Sequence, residues 1–243
     1  MMFGIAIITI AIGLTVRWIY LKEPGRNVTN NLNQQLNLGW KTSYSEYIAA
    51  IQYGWKNPSL RILFLASCFG GLQYTIWATF QPLYLTDAKG LKFSLAIISW
   101  LPAVAAVTMI FIVLLVLPYV TTLRIKFFLQ FSYGMIVVSS IIFLLAPAGI
   151  FIILILYAFI SAIGLGILSP LRDSFVMNNL KDDRYRAKVL ALSGLAALLC
   201  SLPGGPLGGY LYTLHPKLPF VTALFLQSIN LLLFTYLKKV ANK

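Results

Sequence analysis

Seven long apolar runs, each close to 20 residues, constrain the fold of this chain more than any other feature of its sequence. An apolar helix of about 20 residues is long enough to cross the hydrocarbon core of a bilayer. Only 10% of the 243 residues are charged and 59% are hydrophobic, whereas soluble domains carry about 25% charged residues. The pattern predicts an all-α integral membrane protein. Its seven predicted transmembrane helices cover residues 2–20, 59–84, 94–118, 127–147, 149–170, 188–212 and 218–237.

The basic residues lie mainly in alternate connections between these spans. The 19 Lys and Arg residues outnumber the six Asp and Glu residues and give a net charge of +13. In a soluble protein this balance would indicate nucleic-acid binding, but here the charges flank apolar spans, where they set orientation and meet lipid headgroups. The positive-inside rule predicts a multi-pass protein of the cell (inner) membrane with its N-terminus outside and its C-terminus cytoplasmic. The lipid bilayer is therefore an expected partner, and nucleic acid is not.

The spans lack the residue clusters that catalysis, metal binding or cofactor attachment require. Cys68 and Cys200 have no metal-ligand or redox spacing, and we interpret them as packing residues. The single histidine, His215, has no evident partner residues in the sequence. No ionisable side chain lies deep in any span, so the sequence contains no group for a proton relay in the membrane. We expect no enzyme activity, no metal site and no cofactor.

A polar connection, residues 21–58, follows the first span. Ser43 and Glu46 within it form a capping box, and aromatic and aliphatic residues follow at helical spacing. This pattern favours an amphipathic helix on the inner membrane face. The domain organisation is therefore expected to be a transmembrane helix, 1–20, a cytoplasmic loop with an amphipathic helix, 21–58, and a helical domain, 59–240.

Seven spans with an outside N-terminus also fit a seven-transmembrane receptor or sensor without transport activity. Residues 183–185 read Asp-Arg-Tyr, a tripeptide known from the inner end of the third receptor helix. Here the tripeptide precedes the sixth span, and the last span lacks Asn-Pro-x-x-Tyr. We keep the receptor as the alternative and interpret the tripeptide as part of a solvated basic loop.

The last six spans group as two sets of three, residues 59–147 and 149–237. Each set crosses the membrane an odd number of times, so the two sets are inverted relative to each other. Inverted triplets of helices are the building unit of a large class of secondary transporters.

The segment 169–220 carries residues that strengthen this interpretation. An Arg-Ala pair at 186–187 follows a polar stretch, Gly-Pro-Leu-Gly at 205–208 lies inside the next span, and Pro-Phe at 219–220 precedes the last span. In order and spacing, the segment resembles the C-terminal half of a major facilitator superfamily transporter. The resemblance covers essentially the whole chain. It implies that the first span is the sixth family helix and that 59–240 is a six-helix C-terminal domain.

The resemblance implies a secondary active transporter that moves a small solute, neutral or drug-like, by alternating access. A drug-like solute would fit efflux, but the sequence leaves import and export both open. The family normally has twelve spans, and the first five are absent here. We therefore expect a truncated C-terminal half, whose partner is the missing N-terminal half or a second chain.

The residues 201–210, SLPGGPLGGY, place two prolines and four glycines inside an apolar span. Prolines kink a membrane helix, neighbouring helices satisfy the freed carbonyls, and small residues permit close backbone approach. The resemblance places this helix between the two halves of a transporter, where a bend and a smooth face would permit rocking. Tight packing within one bundle is the alternative. The predicted interface residues are Ser201, Gly204, Gly205, Pro206 and Gly208.

Polar and aromatic side chains share one helical face of the second span, and a shorter face of the same kind occurs in the fifth. Facing a wet cavity, such side chains would hydrogen-bond to a ligand and stack on it. Hydrogen bonds between helices and an aromatic belt are the alternative. The resemblance implies that the first helix of each triplet lines the cavity. The predicted substrate-cavity residues are Gln73, Tyr74, Trp77, Gln81, Tyr157 and Ser161.

Two further pairs of polar residues lie near or within the later spans. Arg172 and Asp173, at the inner end of the fifth span, form either a cytoplasmic gate pair or an exposed pair of little energetic weight. Gln227 and Asn230 lie one turn apart in the last span, which the family places at the periphery. We expect these two carboxamides to make structural hydrogen bonds.

Overall fold

The structure is a computed structural model that describes residues 48, 51–52, 55–120, 125–179 and 183–240. The chain divides into residues 1–46 and 47–243, and all described residues belong to the second part. The described residues form helices and turns, with no strand among them. The predicted span 2–20 and the capping box of Ser43 and Glu46 lie outside the described residues.

Eight α-helices follow one another along the described chain. Their bounds are α1 Pro58–Thr86, α2 Leu95–Ile98, α3 Trp100–Leu115, α4 Ile125–Leu145, α5 Phe151–Asn179, α6 Asp183–Ser201, α7 Gly204–Leu214 and α8 Leu218–Val240, with a short 3-10 turn at Leu117–Tyr119. The first of them begins at a proline, whose fixed φ suits the first helical position. The Asn57 carbonyl accepts hydrogen bonds from the amides of Leu60 and Arg61, at 3.1 and 3.0 Å.

Six segments of these helices are long and apolar enough to cross a membrane. They are Leu60–Thr86, Leu95–Tyr119, Ile125–Leu145, Phe151–Phe175, Lys188–Leu214 and Leu218–Tyr236. The six predicted spans from residue 59 onward are thereby confirmed, and the all-α membrane fold with them. The largest difference is at the end of the fifth span, because the helix continues through Pro170 to Asn179.

The helices pack in a pattern that repeats between the two triplets. The first helix of the first triplet, α1, packs along α8 and against α6 and α7 of the second triplet. The first helix of the second triplet, α5, packs along α4 and against α3 of the first triplet. Exchanging α1 with α5, α3 with α6 and α7, and α4 with α8 therefore reproduces the largest helix contacts. The remaining large contact, α4 with α8, maps onto itself. This arrangement agrees with the predicted pair of inverted three-helix repeats.

Two glycines permit the closest helix contacts. A Cβ atom on Gly71 of α1 would collide with the backbone of Ala197 of α6. A Cβ atom on Gly164 of α5 would come within 2.9 Å of the Ser132 carbonyl oxygen of α4. Gly164 follows Tyr157 and Ser161 at helical spacing, and it lets α4 and α5 approach closely.

A tight turn closes the end of the bundle after α1. The Leu91 amide donates to the Tyr84 carbonyl at 3.0 Å, and the Phe93 amide donates to the Leu85 carbonyl at 2.8 Å. Beside this turn, the Tyr212 hydroxyl of α7 donates to a carboxylate oxygen of Asp87 at 2.7 Å. The hydrogen bond ties the end of α7 to the end of α1.

This hydrogen bond makes stability depend on pH. The pKa of Asp87 is lowered chiefly by the Tyr212 hydroxyl, which favours the ionised carboxylate. A lowered pKa in the folded state stabilises the fold above the ordinary aspartate pKa, and that contribution is lost as pH falls through the lowered value. In a Tyr212→Phe variant, we expect a slightly lower melting temperature (Tm) at neutral pH and a shallower decline of Tm in acid. The check is Tm against pH for both proteins, and parallel curves would contradict the prediction.

Candidate functional site

The six predicted cavity residues surround one cavity between α1, α4, α5 and α8. Its volume is about 340 Å³, within the range of about 300–1,000 Å³ that is usual for small-molecule sites. The sequence interpretation missed most of the opposite wall, which α4 and α8 supply. All lining residues are Gln73, Tyr74, Trp77, Ala78, Gln81, Ile136, Ser139, Ser140, Tyr157, Ser161, Leu165 and Gln227.

Trp77 and Tyr157 join the two triplets at the centre of this cavity. The Trp77 indole Nε1–H donates to the Tyr157 hydroxyl oxygen at 2.9 Å. The side chains of Gln81 and Ser161 also interact with that hydroxyl. Four of the six predicted residues thus meet at the Tyr157 hydroxyl, and the hydrogen bond from Trp77 orients it.

An aromatic cluster supports Trp77 from behind. The ring centroid of Trp77 lies 5.1 Å from that of Phe143 and 5.2 Å from that of Phe220. Tyr84 continues the cluster, 5.1 Å from Phe220, and is only 2% exposed. The burial of Tyr84 excludes a place in an exposed aromatic belt.

A second cavity of about 400 Å³ shares Gln73 and Tyr74 with the first and extends to Arg172. The Arg172 Nη2 group donates to the Ser67 Oγ atom of α1 at 2.6 Å, and that hydroxyl donates to the Leu63 carbonyl at 2.7 Å. Asp173 is exposed. The structure therefore places Arg172 at the cavity wall and Asp173 on the surface, and a gate formed by the two stays a prediction.

The expectation of structural hydrogen bonds for Gln227 and Asn230 is wrong within the described part of the chain. Both side chains are buried, with exposures of 3% and 0%. The Gln227 Oε1, Asn230 Nδ2 and Asn230 Oδ1 atoms have no hydrogen-bond partner there. Both residues lie in the interior of the bundle, and Gln227 reaches the cavity.

A comparison with protein families identifies the fold. A model of the Major Facilitator Superfamily matches residues 1–184 of the 243. This chain belongs to the major facilitator superfamily. Members of the superfamily are transporters and not enzymes, so the match disfavours the seven-helix receptor. No curated protein matches the sequence.

In this facilitator-superfamily member, the proline- and glycine-rich span is broken at Leu202 and Pro203, between α6 and α7. After the break, Gly204 and Gly208 face α1. A Cβ atom on Gly204 would come within 3.0 Å of Thr75, and a Cβ atom on Gly208 would collide with the Phe80 ring. These two glycines therefore pack against α1 within this bundle, and a contact of this helix with another half stays a prediction.

The opposite side of the same helix is open. A Cβ atom on Gly205 would meet no atom within 4 Å, and Pro206 is exposed. Ser201 is half-buried, lines the second cavity and donates to the Leu198 carbonyl at 2.7 Å. Of the predicted interface residues, Gly205 and Pro206 are thus the ones available to another surface.

The remaining chemistry of this facilitator-superfamily member is sparse. Among the described residues, no three His, Cys, Asp or Glu side chains cluster closely enough to hold a metal ion. Cys68 and Cys200 are both free thiols, and the Cys68 Sγ atom lies 3.9 Å from the Ala196 carbonyl of α6. Their place between α1 and α6 agrees with the interpretation as packing residues.

Proposed function

We propose that this transporter moves a small neutral solute by alternating access through the cavity around Trp77 and Tyr157. The observation that carries the proposal is the lining of that cavity: nine polar and aromatic side chains from the two triplets converge there, and no charged residue lines it in the described part of the chain. Uncharged amides and hydroxyls hydrogen-bond a neutral solute without the desolvation cost of a buried charge.

Drug-like solutes are the second candidate. A third cavity of about 270 Å³ adjoins the first at Gln81, Tyr157 and Ser161, and the rest of its wall is mainly apolar, including Leu101 and Met109. A solute with an apolar portion would place that portion here and its polar groups at the centre.

A second wall for the cavity is part of the proposal. Tyr74 lines both polar cavities yet is 69% exposed, so the described bundle encloses the solute on one side. We infer that another helical half, in the same polypeptide or in a second chain, closes the other side. The open face at Gly205 and Pro206 would form part of the contact, with the Arg172 end towards the cytoplasm of a cell-membrane protein.

The test is the access of water-soluble reagents to the cavity wall. In a Cys68→Ala, Cys200→Ala background, single cysteines replace Gln73 and Ser161. The controls replace Val138 and Ile141, which are 47% and 41% exposed on the outside of α4. A membrane-impermeant methanethiosulfonate is added to sealed vesicles of each orientation.

Alternating access predicts labelling of both cavity positions from either side of the membrane. Labelling of the two control cysteines should stay slow, because thiols in lipid rarely ionise. Labelling from the outer side alone would support the receptor. Slow labelling from both sides would contradict a wet cavity.

A further inference from the structure

Three polar atoms on α8 are buried without a hydrogen-bond partner among the residues that the structure describes. They are Gln227 Oε1, Asn230 Nδ2 and Asn230 Oδ1, and their side chains are at most 3% exposed. Unpaired buried polar atoms are rare in native structures and costly in an apolar surrounding. The neighbouring Ser228 differs, because its hydroxyl donates to the Leu224 carbonyl at 2.9 Å. The two carboxamides therefore need a partner other than the described protein atoms.

One carboxamide lines a polar cavity, and the other lies behind the wall of the second polar cavity. Gln227 lines the cavity of about 340 Å³ together with Ser139 and Ser140. The Asn230 Nδ2 atom lies 3.9 Å from the place that a Cβ atom on Gly70 would take, and Gly70 lines the cavity of about 400 Å³. Asn230 itself does not line that cavity; it lies behind the wall at Gly70, which carries no side chain. The two residues are three apart on one helix, so they present neighbouring groups.

The unpaired atoms define the chemistry of the partner. Two are acceptors and one is a donor. A metal cation would leave the Asn230 N–H groups unpaired, and an anion would leave both oxygens unpaired. A hydroxyl group satisfies both kinds of atom, since it donates one hydrogen bond and accepts others.

We propose that Gln227 and Asn230 form a hydroxyl-binding subsite in the wall of the cavity, and that the transported solute is a neutral hydroxylated molecule. The solute class rests on the function proposed above. The hydroxyl belongs either to that solute or to a bound water, which supplies the same chemistry. An aromatic ring, Trp77, lines the same cavity and offers an apolar face to the rest of a solute.

The experiment compares carboxamide removal with a matched control in the full chain, purified in detergent. Asn230→Leu and Gln227→Met keep the approximate size of each side chain and remove its hydrogen-bonding atoms. Ser228→Ala removes a hydroxyl from the same helix without touching the subsite. For each protein, Tm is measured, and equilibrium binding of tritiated methyl α-glucopyranoside is compared with competition by its fully O-methylated derivative.

Three outcomes are distinct. The first outcome has three parts: the glucoside binds, its O-methylated form does not compete, and both carboxamide variants bind the glucoside at least about tenfold more weakly. That result would mean that the bound hydroxyl belongs to a solute. If no glucoside binds but both variants lower Tm and Ser228→Ala does not, the subsite holds water. If Tm rises or is unchanged in both variants and binding is unaffected, the proposal is overturned.

A failure of the transport proposal would be distinguishable from a failure of the hydroxyl-binding subsite. Tm and binding in detergent require no transport, so a hydroxyl site that holds only water would persist even if the vesicle labelling showed no access to the cavity. In that case the solute class would fall and the subsite would remain.

Discussion

Replacing Trp77 by alanine should cost about 2–3 kcal/mol of stability, less than the roughly 3–5 kcal/mol usual for a fully buried large aromatic residue, because the Trp77 ring is half-buried at the cavity wall. The ring packs against Phe143 and Phe220, and its N–H group donates to Tyr157. Trp77→Phe keeps a ring in the cluster and removes the hydrogen bond, so a loss of about 1 kcal/mol is expected. Tm in detergent and intrinsic fluorescence measure both effects.

The matched control is Trp100→Ala. Trp100 is 63% exposed, so the same chemical change there should leave Tm nearly unchanged. Equal losses in the two variants would mean that Trp77 has no special place in the core. A tolerated Trp77→Ala variant would contradict the aromatic cluster as the support of the cavity.

Replacing Gly71 by alanine should loosen the contact between α1 and α6. The added methyl group would overlap the Ala197 carbonyl of the neighbouring helix, and overpacking of this kind costs about 1–3 kcal/mol. The expected result is a lower Tm and a lower yield of folded protein. Because backbone atoms are involved, no rotamer change relieves the overlap.

Gly194→Ala is the control for this prediction. Gly194 lies on α6, the helix that Gly71 of α1 contacts, but an added Cβ atom on Gly194 would meet nothing within 4 Å. Alanine favours a helix over glycine by about 1 kcal/mol, so Tm should stay the same or rise. If Tm falls equally in both glycine variants, the loss reflects a general sensitivity of these helices to an added methyl group and not the contact between α1 and α6.

The sequence was sufficient to predict residues that share one helix face. Gln73, Trp77 and Gln81 recur at intervals of four, which places them on one side of any helix whatever surrounds it. The spans were also predictable, because bilayer thickness sets their length. The end of α5 was not, since a helix continues beyond the membrane wherever its neighbours support it.

The partners of a face could not be predicted in the same way. Ser139 and Gln227 complete the cavity from helices distant in sequence, and a single chain carries no signal for which helices meet. A pair of serines in the apolar span of α4 was the available hint. The glycines of the broken helix show the same limit: spacing grouped Gly204 with Gly205, but only the position of α1 decides which of them is buried.

One ratio tests the central claim most directly, namely the labelling rate of Ser161→Cys divided by that of Val138→Cys in sealed vesicles. Ser161 lines the cavity beside Tyr157, whereas Val138 lies on the outside of α4. A wet solute pathway predicts a ratio of about ten or more from either side of the membrane, because only an aqueous thiol ionises and reacts readily. A ratio near one from both sides would contradict the pathway and leave a packed helical bundle in its place.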